Sequence, residues 1–162
     1  MKRDIPFLGA VGVCAVLLCR LPAAQEVMQW ESNFAPIDLD ALTTRDDVAT
    51  GSSTVRLLMN GDVELSADNS TTARLSGPGG DVLITEYKLT FDGDGTGATG
   101  AATVDYTPYD SFLNPPVLVT HVMADDDVNV TLHVRAQNPP GDVANAGTYT
   151  ATATLTASWV GP

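Results

Sequence analysis

Cysteine is almost missing from this chain. The two present, Cys14 and Cys19, both fall in an apolar stretch near the N-terminus. Beyond that stretch no disulfide can staple the fold and no thiol can serve as nucleophile. Basic residues are scarce as well. The chain holds 8 Lys+Arg against 20 Asp+Glu, a net charge of -12. Such a surface repels phosphate backbones, which excludes nucleic acid as a partner. No apolar run reaches the ~20 residues that span a bilayer as a helix. Histidine is rare, with only His121 and His133. No Ser stands in a Gly-x-Ser-x-Gly turn, and no Gly-rich loop with a following Lys has phosphate-cradling spacing. With no carboxylate pair singled out by its surroundings, the reading is non-enzymatic.

Residues 1–24 form a signal-like unit. Lys2 and Arg3 start it, an apolar run extends to Cys19, and Ala23 and Ala24 supply small residues for cleavage. Val13 and Leu18 precede the two cysteines, where a lipidation signal would place a small residue. The expectation is an exported protein of the periplasm, cell surface or extracellular space, with no membrane span after cleavage. Removing Lys2, Arg3, Arg20 and Asp4 takes the counts from 8 and 20 to 5 and 19, so the net charge moves from -12 to -14. Stability without disulfides must then come from burial, strand pairing or assembly.

The chain beyond residue 24 is rich in strand patterns. Residues 25–50 read as an N-terminal extension or first strand plus a polar connector, "TTRDDVATGSS", and 51–162 as the main domain. In "EVMQWESNFAP", Met28, Trp30 and Phe34 share one parity. "STVRLLMNGDVELSAD" reads as two β runs around Asn60-Gly61, a hairpin signal, with Val63 and Leu65 inward. "VLITEYKLTF" places Leu83, Tyr87, Leu89 and Phe91 on one face. "TVDYTPYD" is an edge segment broken by Pro108, and "PPVLVTHVMA" is the most apolar run, suited to a central place. "VNVTLHVRAQ" alternates cleanly, with Val128, Val130, Leu132 and Val134 inward and His133 on the wet face. Turn-rich pieces such as "GPGGD" and "NPPGDVANAG" separate the runs. Some seven to nine strands at these spacings predict an all-β, immunoglobulin-like antiparallel sandwich, or else a small barrel.

Two acidic loops raise the question of a metal. "DGDGTG", from Asp92 through Asp94, partly matches the opening of a calcium loop, but its twelfth position is Thr103 rather than Glu. "ADDDVN" holds Asp125 and Asp127. Were the two loops to meet, Asp92, Asp94, Asp125 and Asp127 would form a weak Ca2+ site. A self-complete secreted domain binding Ca2+ or a glycan through these loops is the alternative reading. Asn69 and Asn129 also open glycosylation triplets.

The chain closes with "GTYTATATLTASW". Thr or Ser fills each even place from Thr148 to Ser158, and Tyr149, Ala151, Ala153, Leu155, Ala157 and Trp159 fill the odd ones. One wet face and one dry face result. With the preceding "VNVTLHVRAQNPPGDVANA" and the middle "ARLSGPGGDVLITEYKLTFDGDG", this ending resembles the spore coat protein U family and the archaic chaperone–usher pilins. The resemblance covers roughly the last 110 residues and departs from those families in having no intradomain disulfide. It implies an immunoglobulin-like sandwich lacking its last strand, completed by a neighbour's N-terminal segment through strand addition. It implies a structural subunit of a surface filament or coat. Its partners would be further copies or related subunits, with a periplasmic chaperone and usher. Donor candidates are then Met28, Trp30 and Phe34. Acceptor candidates are Tyr149, Ala151, Ala153, Leu155 and Trp159. Met28 to Phe34 reads equally as the first strand of the chain's own sandwich.

Overall fold

The computed structural model describes residues 26–92, 103–121 and 127–161. The signal-like segment lies outside them. Eight strands appear: β1 (Met28–Trp30), β2 (Val48–Met59), β3 (Asp62–Ala67), β4 (Ile84–Asp92), β5 (Val104–Pro108), β6 (Val117–Val119), β7 (Asp127–Gln137) and β8 (Leu155–Gly161). One sheet has the order β1-β2-β7-β4-β5 and the other β6-β3-β8. Every pairing is antiparallel. The helical content described is two single 3-10 turns, Thr71–Ala73 and Pro78–Gly80. The all-β sandwich expected from the alternation is therefore present.

Burial follows the two-residue beat. Val128, Val130, Leu132, Val134 and Ala136 of β7 are buried, and β7 has a strand on each side, β2 and β4. Inward residues of both sheets meet in one core, which joins Leu57 and Met59 to Val63, Leu65, Leu89 and Val119. Each such side chain contributes about 1.5–3 kcal/mol relative to exposure. Tyr87 stands in this core beside Phe112, ring centroids 5.5 Å apart. Its hydroxyl donates to the Ala73 carbonyl at 2.7 Å and so ties the first 3-10 turn to β4. Burial pushes the Tyr87 phenol up to about 12.

Four local expectations are corrected. Asn60-Gly61 is not a hairpin turn: β2 and β3 belong to different sheets, so the pair forms the corner between them. The space over Gly61 is taken by the Trp159 ring. "VATGSS" is no connector but the first half of β2, because Ala49 and Val55 face the core and Gly51 gives room to Ile37. The division expected after Thr50 thus falls inside a strand. The apolar "PVLV" stretch makes the short edge strand β6, not a central one. Its core contribution comes from Val119, while Leu118 is exposed. The closing beat is one strand only from Leu155 onward. Residues 148–154 are extended but, in place of a ladder, make a single bridge, Ser76↔Thr150, and scattered hydrogen bonds.

Candidate functional site: an apolar cleft beside the C-terminal run

The run that precedes β8 is held along one side. The Thr150 N–H donates to the Ser76 carbonyl and the Ser76 N–H donates to the Thr150 carbonyl, at 3.1 and 3.0 Å. The Thr152 N–H reaches the Thr72 carbonyl at 2.7 Å, and the Thr154 carbonyl accepts from the Asp68 N–H at 2.9 Å. These are all even-numbered residues. In an extended chain, neighbouring residues point their backbone groups to opposite sides. The N–H and C=O groups of Tyr149, Ala151 and Ala153 therefore face away from the body. Among the described residues they make no backbone hydrogen bond.

The glycine-rich turn fixes where this run lies. The Tyr149 ring sits over Gly77, 2.5 Å from where a Cβ would stand, and Pro78 likewise occupies the space over Gly147. The Asn145 N–H donates to the Asp81 carboxylate at 2.7 Å, and the Tyr149 hydroxyl donates to the Asn145 carbonyl at 2.8 Å. Asn138 steadies the preceding loop. Its side chain accepts from the Ala144 N–H at 3.1 Å and donates to the Thr44 carbonyl at 3.0 Å.

A cleft of about 870 Å³ opens alongside. Its floor is the inner face of the larger sheet, at Ala49, Leu132, Val134 and Ala136. One wall is the run 144–153 and the other is the stretch 34–42. The lining is dominated by small and aliphatic side chains, so it suits apolar side chains from an extended segment. Beyond the cleft, β8 is an edge strand. β2 pairs with β1 only from Leu57 to Met59, which leaves its edge from Val48 to Val55 without a strand partner among the described residues. Incompletely sealed walls explain why Tyr149, Ala151, Ala153, Leu155, Ala157 and Trp159 are only half-buried, although their parity is strict.

The sequence candidates divide accordingly. Tyr149, Ala151 and Ala153 line the cleft. Leu155 instead packs on the main core, and Trp159 covers Gly61. Met28 and Trp30 lie in β1, opposite Met59 and Leu57. Trp30 meets Phe34 with ring centroids 5.6 Å apart, and Phe34 reaches the cleft. Ile37, Leu39 and Leu42 of the wall escaped the sequence reading. The alternation of Ile37 and Leu39 with Asp38 and Asp40 was the signal for them.

Asp127 is paired with Arg56. Asp94, Asp125 and the side chain of Asp92 lie outside the described residues. Among the described residues, no group of three or more His, Cys, Asp and Glu stands close enough to hold a metal ion. His133 lies on the outer face of its sheet, with Nε2 2.9 Å from the Thr90 hydroxyl. Partial burial, helped by the nearby Lys88 charge, lowers its pKa. His121 is placed by its backbone N–H, which donates to Asp62 at 2.8 Å. No described helix is long and apolar enough to cross a membrane.

No protein-family model matches the sequence, and no curated protein matches it. Among solved structures, the chain is similar to the P pilus rod subunit PapA. The identity is 14% and the TM-score 0.35, over 78% of this chain and 100% of that one.

Proposed function

We propose that this protein is an exported structural subunit of a surface filament or coat, assembled by donor-strand addition between copies. The observation that carries the reading is the row of unpaired backbone groups at Tyr149, Ala151 and Ala153 along an apolar cleft. An extended segment laid there satisfies the row with ladder hydrogen bonds and buries alternate side chains against Ala49, Leu132 and Val134. The donor is the N-terminal segment of a second copy, carrying Met28, Trp30 and Phe34. In the single chain that segment is held by three residues of strand pairing, by flanking hydrogen bonds of Val27 and Glu31 to Asn60 and Arg56, and by Trp30 and Phe34 packed on the core, and Met28 remains 36% exposed. A short terminal strand of this kind can be released without unfolding the two sheets. Further copies or related subunits are the partners, with a periplasmic chaperone and usher in the export route.

The test is growth of the purified protein into chains. Protein carrying the N-terminal segment forms ladders whose length increases with concentration. Deletion of residues 25–36 abolishes the ladders and leaves a folded acceptor. A concentration-independent monomer that is indifferent to the deletion overturns the proposal.

A further inference from the structure

The stretch 34–42 covers the core without belonging to a strand. Phe34, Ile37, Leu39 and Leu42 turn into the sandwich and are half-buried. Ile37 and Leu39 lie over Gly51 on the inner face of β2, 2.5 and 3.0 Å from where its Cβ would stand. Leu39 belongs to both apolar clusters. Yet no hydrogen bond among the described residues joins 34–42 to either sheet. Pro36 has no N–H to give. Among the described residues, the stretch pairs neither with the open edge of β2 from Val48 to Val55 nor with the open groups of Tyr149, Ala151 and Ala153.

Its ends are defined. On one side stands β1, three residues long. On the other is a tight turn in which the Asp47 carboxylate accepts from the N–H and hydroxyl groups of Thr43 and Thr44, at 2.6–2.9 Å. Those bonds, the Thr44 hydroxyl first, hold the Asp47 carboxyl well below the usual carboxylate range. The segment is thus fixed to the body at Thr43 on one side and, on the other, at β1 with its flanking bonds from Val27 and Glu31, while 34–42 between them depends on side-chain contacts.

We propose that Phe34–Leu42 is a removable plug: it lines the cleft opposite Tyr149, Ala151 and Ala153, covers the inner face of β2 through side chains alone, and yields that place to a hydrogen-bonding strand from a second copy. This rests on the donor-strand reading and adds what regulates the same cleft. A plug with docked side chains shields the apolar floor of a single chain from water. An incoming strand supplies both the side chains and the backbone bonds that the plug omits, so exchange runs toward assembly. The plug sets the rate, because a donor strand finds room beside the floor only after 34–42 has moved aside.

The experiment uses the full chain as acceptor and a fluorescent peptide of residues 26–42 as donor, with uptake followed by anisotropy. Ile37→Asp with Leu39→Asp loosens the plug, and uptake is expected to be at least about tenfold faster than in the wild type. Ile37→Cys with Gly51→Cys, in a background of Cys14→Ser and Cys19→Ser, locks the plug when oxidised. These positions are in direct contact, within disulfide reach. Uptake by the oxidised form is expected to be at least about tenfold slower than by the same protein after reduction. Equal uptake by all forms overturns the plug and leaves the cleft as a donor site. If no form takes up the peptide, donor-strand addition itself fails, and the plug with it. The loosened variant keeps the test decisive should the cysteine pair fold poorly, since it needs no cross-link.

Discussion

The Tyr149 ring lies over Gly77, 2.5 Å from where any side chain there would begin. That single approach fixes the start of the C-terminal run against the glycine-rich turn. It also explains why "GPGGD" opens with glycine. Gly77→Val is expected to displace the ring and destabilise the protein by about 1–3 kcal/mol. Urea denaturation measures it, and a change below about 0.5 kcal/mol contradicts the contact.

Trp159 makes the same kind of contact at the other end of the run, where it covers Gly61. The Gly161 carbonyl is also close, at 2.5 Å from the position of an added Cβ. Because backbone cannot swing aside as a ring can, Gly61→Ala is expected to separate β8 from the corner. In a Trp30→Phe background, the remaining tryptophan emission should shift to the red. An unchanged spectrum with unchanged stability would count against this packing.

Tyr87 should report high pH. Its phenol titrates at about 12 in the folded chain, against about 10 when unfolded. The unfolded state loses the proton first as pH rises. Stability attributable to this group is complete below pH ~10 and falls between ~10 and ~12, with a slope of about one proton. Tyr87→Phe should remove that slope. It should also cost about 1–3 kcal/mol, because the Ala73 carbonyl loses its buried donor. An identical alkaline profile in both proteins would show that Tyr87 is not the group concerned.

His133 should act at the opposite end of the scale. Burial and then the Lys88 charge lower its pKa, so the folded protein favours neutral imidazole. On acidification the unfolded state takes up the proton first, and stability falls as pH drops below ~6.5. An NMR titration should place the His133 midpoint below that of a free imidazole. Lys88→Gln should raise the midpoint only in part, since burial is the larger cause. A full return to the ordinary value would reverse that ranking.

How far the sequence reached can be judged from particular residues. The beat of Val128 to Val134 was readable because β7 is flanked on both sides, so every inward residue is buried and every neighbour is not. The beat of Tyr149 to Trp159 was equally readable, and its parity holds. Where strands part from one another was not. Asn60-Gly61 has the composition of a hairpin, but whether two adjacent strands pair or split between sheets depends on what covers them. Here Trp159, almost a hundred positions later in the chain, covers the turn. Ile37 and Leu39 alternated visibly with Asp38 and Asp40, yet alternation normally announces a strand, and this stretch docks its side chains without joining a ladder.

By itself the sequence determined the all-β class, the acidic surface and which face of each long run is dry. Those properties follow from side-chain chemistry and a backbone period of two, both local. Tertiary structure alone decided which edges remain open. The row at Tyr149, Ala151 and Ala153 is open because Ser76, Thr72 and Asp68 bond the other side of the run and no described strand reaches this one. An unpaired edge depends on what is missing beside it. No single stretch of residues encodes that, because it appears only when the whole chain has taken its places.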